Sequence, residues 1–304
     1  MPTQSLRVAL LAVVTLLLLT ACGQQFSPLA QPTAAPSPVV PVLAVSELAL
    51  GPNRIVIGLL KDGTPLNDPT LELGMRFFYL DGPSPQQLAY ESLARYRGEG
   101  LPFGLYVGYA TFDQPGGWGL ELTIPQAGGV ATATRLRLDV LAEPSVPAVG
   151  EAAIPSQTLT VRDQPDLSRL TSDPNPDPAF YQMSVAEAIA ARTPFLVAFS
   201  TPGYCQTAVC SPNQMVLKQL RQRYQGQINF IHVEVYPYPF GESFQAQRRV
   251  EAMGEWKLRT EPWTFLVDAE GVIQARYEGG ITFTELEPAL VQLATGQPVW
   301  SPTN

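Results

Sequence analysis

The chain has 304 residues, room for two domains at about 150 residues each. Hydrophobic residues at 45% against 15% charged exclude a chain too polar to bury a core, and a net charge of −8 excludes a nucleic-acid partner, which needs a basic face. One histidine leaves little for metal chemistry, three cysteines leave an odd one, and 30 prolines, about twice ordinary usage, belong in connections.

Met1 to Arg7 carries one basic side chain, and Val8–Leu19 is apolar apart from Thr15. That run has the length of a signal-peptide core, since crossing about 30 Å of hydrocarbon takes roughly 20 residues. Leu19-Thr20-Ala21-Cys22 then resembles a bacterial lipobox. The resemblance implies that residues 1–21 are a lipoprotein signal peptide and that Cys22 becomes the lipidated N-terminus. The protein is then expected in the cell envelope, tethered to the membrane by its N-terminal lipid and facing outside the cytoplasm. With Cys22 so assigned, Cys205 and Cys210 remain as a pair. Residues 22–44 read as a tether: Pro28, Pro32, Pro36, Pro38 and Pro41 stand among small residues, and proline-rich chain extends at about 3.1 Å per residue. Disulfides persist in that compartment.

From 45 to 163 the pattern is short and strand-like: Arg54–Leu60, Leu71–Leu80, Leu105–Phe112, Gly117–Ile124, Thr132–Leu141 and Thr158–Val161. Leu136-Arg137-Leu138-Asp139-Val140 shows the period of two of a half-buried strand. Turns are signalled at Asp62-Gly63, Gln114-Pro115-Gly116-Gly117 and Gly128-Gly129. Six or seven such strands predict a two-sheet sandwich. The stretch Tyr109 to Ile124 is similar to late strands of Ig-like domains in bacterial envelope proteins, with Trp118 as a core aromatic. No reactive constellation is visible in this half, which reads as a spacer or a partner-docking module.

Asp163-Gln-Pro165 and Asp173-Pro174-Asn-Pro176-Asp-Pro178 predict a linker without helix over 164–179, because each proline removes a donor and restricts its predecessor. Over 180–298 the elements alternate. Ser184-Val-Ala-Glu187 is a capping box opening a helix to Arg192. Phe195–Phe199 is an apolar run suited to a strand covered on both faces. Asn213–Tyr224 is amphipathic, with Met215, Leu217 and Leu220 predicted inward. Strands follow at Ile228–Val235, Trp263–Val267 and Val272–Tyr277, and Thr282-Phe-Thr-Glu285 opens a last helix to about Thr295. This order predicts an α/β domain with a mixed central sheet.

Phe195-Leu-Val-Ala-Phe-Ser-Thr-Pro202-Gly-Tyr-Cys205-Gln-Thr-Ala-Val-Cys210-Ser-Pro212 resembles the active-site strand and helix of thioredoxin-like proteins, closest to extracytoplasmic members with four residues between the cysteines. Trp256-Lys-Leu-Arg-Thr-Glu-Pro262-Trp-Thr-Phe-Leu-Val-Asp-Ala-Glu-Gly271 resembles the segment in which a cis-proline opens a strand beside the dithiol. Together they cover about 180–293 and imply a thiol-disulfide oxidoreductase acting on client proteins with thiols or disulfides, with no cofactor and no metal. Cys205, before the helix, faces unpaired N–H groups that favour the thiolate, which makes it the nucleophile. Cys210 resolves the mixed disulfide. Five residues along one helix are separated by about 7.5 Å of rise, so the two can bond only if the chain wraps between them and the helix starts near Cys210, as Pro212 in its first turn allows. Pro262 and its neighbours would hold the client backbone, and Tyr204 lies beside the nucleophile.

The strand Phe195–Phe199 carries no acid of the kind thioredoxins bury beneath the dithiol. Glu261 is a candidate for proton transfer, the other reading being a solvated residue at the groove rim. The aromatic loop Tyr236-Pro-Tyr238-Pro-Phe240 could line a client groove or form a packing cluster. Three further functions compete. A thiol peroxidase is suggested by Thr207-x-x-Cys210, although the proline that signature requires falls on Gly203. A copper-binding chaperone of the Sco type would use both thiolates, with His232 inside a strand as the available histidine. A non-catalytic assembly module would keep the disulfide as structure.

Overall fold

The computed structural model of the chain describes residues 39–125 and 131–299. The signal peptide, Cys22, the tether up to residue 38 and the Gly128-Gly129 turn lie outside the described residues.

Among the described residues, nine strands occupy the first half: β1 (Val40–Leu43), β2 (Leu48–Ala49), β3 (Gly51–Lys61), β4 (Thr64–Pro65), β5 (Glu72–Tyr79), β6 (Leu88–Tyr96), β7 (Tyr106–Phe112), β8 (Gly116–Ile124) and β9 (Thr132–Leu141). They form one hydrogen-bonded sheet, in the order β1-β3-β7-β6-β5-β8-β9-β2, with β4 paired to β3. The period of two works as expected: Leu73, Met75 and Phe77 of β5 and Leu120 and Leu122 of β8 turn into one core, while Arg76 and Glu121 pair outside. Trp118 is buried in that core. The expected two-sheet sandwich is replaced by a single curled sheet. The cause is β6, which sequence reading passed over: it pairs with both β5 and β7 and so joins the two layers edge to edge. Long twisted strands then roll the sheet around its core. The tether also ends sooner than predicted, since Val40–Leu43 pairs antiparallel with Ile57–Leu60. Pro41 is tolerated there because β1 is an edge strand.

The second half is built on β10 (Phe195–Ser200), β11 (Asn229–Glu234), β12 (Trp263–Val267) and β13 (Ile273–Glu278). The order is β11-β10-β12-β13, with β10 and β11 parallel and the other pairs antiparallel, giving the predicted mixed sheet. Its helices are α1 (Leu167–Leu170), α2 (Val185–Ala190), α3 (Cys210–Arg223), α4 (Phe240–Gln245), α5 (Glu251–Glu255) and α6 (Phe283–Ala294). Alternation along β10 divides the core: Phe195, Val197 and Phe199 meet Trp256 and Phe265 on one face, while Leu196 and Ala198 meet Leu217, Leu220 and Leu290 on the other. The Ser184–Glu187 capping box forms as predicted.

Three expectations change here. Met215 is 55% exposed rather than inward, because Asn213 and Gln214 take the buried positions of α3 and use them for hydrogen bonds. Thr158–Val161 is not a strand; it runs as irregular chain. The 164–179 linker does hold a helical turn, α1, capped by the Asp166 carboxylate between Pro165 and Pro174, and a 3-10 turn capped by Asp177 starts at Pro178. Its second part is anchored to α3 by Lys218–Asp173 and Arg221–Asp177 ion pairs at 2.6 Å.

The two halves belong to one compact unit. Arg54 of β3 reaches across to Glu285 of α6 with two N–H···O bonds of 2.6 and 2.8 Å, and donates to the Glu278 and Gly280 carbonyls at 2.8 Å. Tyr109 donates its hydroxyl to the same carboxylate at 3.0 Å.

Candidate functional site

The site is a junction between the end of β10 and the start of α3. Thr201 to Val209 leave the sheet as turns, and α3 begins at Cys210. Ala208 adopts a left-handed backbone with φ +58°, the reversal that brings the chain back on itself. Cys205 and Cys210 are joined as a disulfide with their Cα atoms 5.9 Å apart, inside the usual range of about 4.4–6.8 Å. Cys210 is fully buried and Cys205 partly exposed, so an incoming sulfur can reach only the earlier of the two. The Thr207 hydroxyl lies 3.2 Å from Cys205 Sγ.

The Glu261–Pro262 peptide bond is cis and opens β12. Glu261 Oε2 stands 4.0 Å from Cys210 Sγ. This carboxyl is pushed up to about 7, chiefly by burial and then by the charge of Glu234, while hydrogen bonds from Thr201 and the charge of Arg249 pull the other way.

Glu234, at the end of β11, was missed by the sequence reading. It is buried, accepts hydrogen bonds from the Ser172 backbone N–H at 2.7 Å, the Ser172 hydroxyl at 2.9 Å and the Thr171 hydroxyl at 3.1 Å, and a further one from the Thr201 hydroxyl. Burial pushes it up to about 7 against those donors. The same Ser172 hydroxyl accepts from the Gly203 N–H at 3.0 Å, which ties this acid to the loop of Cys205. A signal existed: Glu234 is the lone carboxylate in the otherwise buried run Ile228–Val235, where a charge needs a reason.

Asn213, one turn into α3, donates to the Gly279 carbonyl at 2.9 Å and accepts from the Ile281 N–H at 3.0 Å. Gly279 N–H in turn donates to the Pro262 carbonyl at 2.9 Å. Helix, loop and cis-proline strand are thus fastened to one another beside the disulfide.

The predicted aromatics divide. Tyr204 is 38% exposed with its ring 5.7 Å from Phe244. Tyr238 is exposed, whereas Phe240 is buried against it at 5.5 Å and Tyr236 is buried near Phe244. Tyr238 and Phe240 line a cavity to which neither cysteine contributes. His232 is buried in β11 with Nδ1 2.7 Å from the Tyr181 hydroxyl and Nε2 3.0 Å from the Ser200 hydroxyl. Both ring nitrogens are therefore occupied, and burial pulls the imidazole down to about 4. Among the described residues no group of three or more His, Cys, Asp or Glu side chains could hold a metal ion.

Residues 181–294 match the family model described as a thioredoxin-like domain, and the second half of the chain is such a domain. A solved structure described as the C-terminal domain of a putative thiol-disulfide oxidoreductase from Bacteroides thetaiotaomicron is similar at 13% identity and a TM-score of 0.30, over 49% of this chain and 97% of that one. No curated protein sequence matches the chain.

Proposed function

We propose that the protein is a thiol-disulfide oxidoreductase working on client proteins through Cys205 and Cys210. The observation that carries this reading is the asymmetry of one disulfide, its first sulfur reachable, its second buried 4.0 Å from the Glu261 carboxyl. A client thiolate attacks Cys205 Sγ, forms a client–Cys205 disulfide and breaks the Cys205–Cys210 bond. The electron pair of that bond leaves on Cys210 as thiolate, which takes the proton of neutral Glu261. A second client thiol then displaces Cys205, so the client is oxidised and both cysteines end reduced. Run backwards, the same steps reduce a client disulfide. An extended client segment would run past Pro262 and the residues just before it, since the Pro262 carbonyl is taken by Gly279 and β12 is paired on both sides, and Tyr204 flanks the approach.

The lipobox-like Leu19 to Cys22 supports placing this chemistry at the membrane surface outside the cytoplasm, on a lipid attached to Cys22. No helix among the described residues is long and apolar enough to cross a membrane, and the tether is the proposed attachment.

Reduction of insulin disulfides by dithiothreitol tests the chemistry. The wild type accelerates it, and Cys205→Ser and Cys210→Ser both lose the acceleration. Cys210→Ser accumulates a mixed disulfide with client, whereas Cys205→Ser does not. Equal rates for wild type and Cys205→Ser would refute the reading. Incorporation of a labelled fatty acid, lost in Cys22→Ser, tests the anchor.

A further inference from the structure

Beside the outer edge of β11 lies a cavity of about 340 Å³, at the lower end of the roughly 300–1,000 Å³ usual for small-ligand sites. It opens between the segment 157–159 and the turn 236–240. Its walls mix apolar and aromatic side chains with polar ones, with Leu170 and Phe240 inside and Leu159 and Tyr238, 56% and 50% exposed, at the mouth. Large apolar side chains left in water at the rim of a hollow mark a place where an apolar body is expected.

The charge around this mouth runs against the rest of the molecule. The chain carries a net charge of −8, yet Arg169, Arg248 and Arg249 all line the cavity. None of the three forms an ion pair among the described residues, although ten of the chain's other cations do. Arg169 lies over the Tyr238 ring at 5.0 Å, Arg248 donates to the Ser243 hydroxyl at 2.7 Å, and Arg249 donates to the Arg259 carbonyl at 2.8 Å. Arg169 and Arg248 are held by neutral partners and keep donors to spare, while the charge of Arg249 also acts on Glu261; Arg presents its donors as a planar fork suited to carboxylate, sulfonate or phosphate. Two acids share the lining, Glu234 and the exposed Glu251 at the start of α5. On the inner wall, the polar atoms of His232 and Glu234 are already satisfied by Tyr181, Ser200, Thr171, Ser172 and Thr201, so the interior offers apolar contact, with Glu234 neutral below about pH 7.

We infer that this cavity is a binding site for a small amphipathic organic anion, its apolar body between Leu159, Tyr238 and Phe240 and its anionic head on Arg169 and Arg248. The site is separate from the disulfide and does not depend on thiol turnover. Its inner wall includes Glu234, so an occupant would lie one hydrogen bond from Thr201 and the loop that carries Cys205.

The test is fluorescence titration of the full chain with 8-anilinonaphthalene-1-sulfonate and with its uncharged counterpart N-phenyl-1-naphthylamine. The sulfonate is expected to bind saturably, one molecule per chain. Arg169→Gln combined with Arg248→Gln raises its dissociation constant about tenfold or more, equivalent to about 1.4 kcal/mol, and leaves the uncharged probe unaffected. Arg192→Gln, which removes an exposed cation with no ion pair among the described residues, changes neither. Leu159→Glu, at an exposed position where folding is not at stake, abolishes binding of the sulfonate. The inference is overturned if the arginine pair and Arg192→Gln weaken binding equally, if the double variant binds as the wild type does, or if Leu159→Glu leaves binding intact.

Discussion

Glu261 Oε2 stands 4.0 Å from Cys210 Sγ, where the sulfur is fully buried and the carboxyl is held up to about 7. A neutral acid at that point can hand its proton to the thiolate that leaves when the disulfide is opened. Protonated Glu261 predominates below pH 7, so the rate of opening per attacking thiolate is expected to fall as pH rises through about 7. In Glu261→Gln that step disappears, and the rate near pH 6 drops about tenfold or more, in line with general acid catalysis. Stopped-flow reduction by a small thiol, corrected for its thiolate fraction, measures both. A wild-type profile without the step would remove Glu261 from the chemistry.

Glu234 links the same chemistry to stability. In the unfolded chain it ionises near 4.5, in the folded one at about 7. Between those values the unfolded state binds fewer protons, so stability falls as pH rises through this window and is constant above it. The Glu234 contribution, fully present below pH 4.5, amounts to about 3 kcal/mol of change across the window. His232 acts in the opposite sense, because its folded value lies below the unfolded one and protonation costs stability as pH falls from 6.5 towards 4. Urea titrations of wild type and Glu234→Gln from pH 4 to 8 separate the two. The variant, which mimics protonated Glu234 at every pH, lacks this fall, so the wild type should lose stability relative to it from pH 4.5 to 7, while the rise from His232 stays in both. A pH-independent difference would show that Glu234 ionises normally.

The second half was legible because its signals are local. A capping box, a run buried on both faces and a cysteine pair ahead of a proline each announce themselves within a few residues, and Ser184, Phe195–Ser200 and Cys210 lie where those signals point. The first half was read strand by strand but not as a sheet, since pairing is decided by distant partners. Leu88–Tyr96 alternates only weakly, with one fully buried residue, Ala94, and it is this strand that makes one sheet of two. Glu261 was visible through the proline that follows it. Glu234 was not, because its meaning depends on Thr171, Ser172 and Thr201 converging from two other segments. Arg54 was equally silent: a strand arginine reads as solvent-facing until α6 is placed against it.

Reduction of the disulfide should cost little structure. The bridge closes a loop with a sequence separation of 5, and closure of so short a loop is worth about 2 kcal/mol. The cores on the two faces of the β10–β13 sheet are built from side chains that do not depend on it. Dithiothreitol is expected to lower the unfolding free energy by about 2 kcal/mol with the far-ultraviolet circular dichroism unchanged. Loss of that spectrum on reduction would make the bridge a structural staple first and a reactive group second.

Arg54 and Glu285 form the best-buried ion pair between the halves, with side chains 6% and 2% exposed. Arg54→Ala would leave the carboxylate with Tyr109 alone and is expected to cost about 3–5 kcal/mol in urea unfolding. Replacing both partners with apolar residues, Arg54→Met with Glu285→Leu, should recover most of that, because no charge is then stranded. The two variants separate stability from positioning. Arg54 also donates to the carbonyls of Glu278 and Gly280, on either side of the Gly279 N–H that bonds the Pro262 carbonyl. Those contacts are lost in the single and the double variant alike. Amide exchange at Gly279 should therefore accelerate in both, and client reduction should lose affinity (higher KM) with little change in kcat. Exchange that recovers together with stability in the double variant would show that the β half merely supports the thioredoxin-like domain and does not hold its cis-proline loop in place.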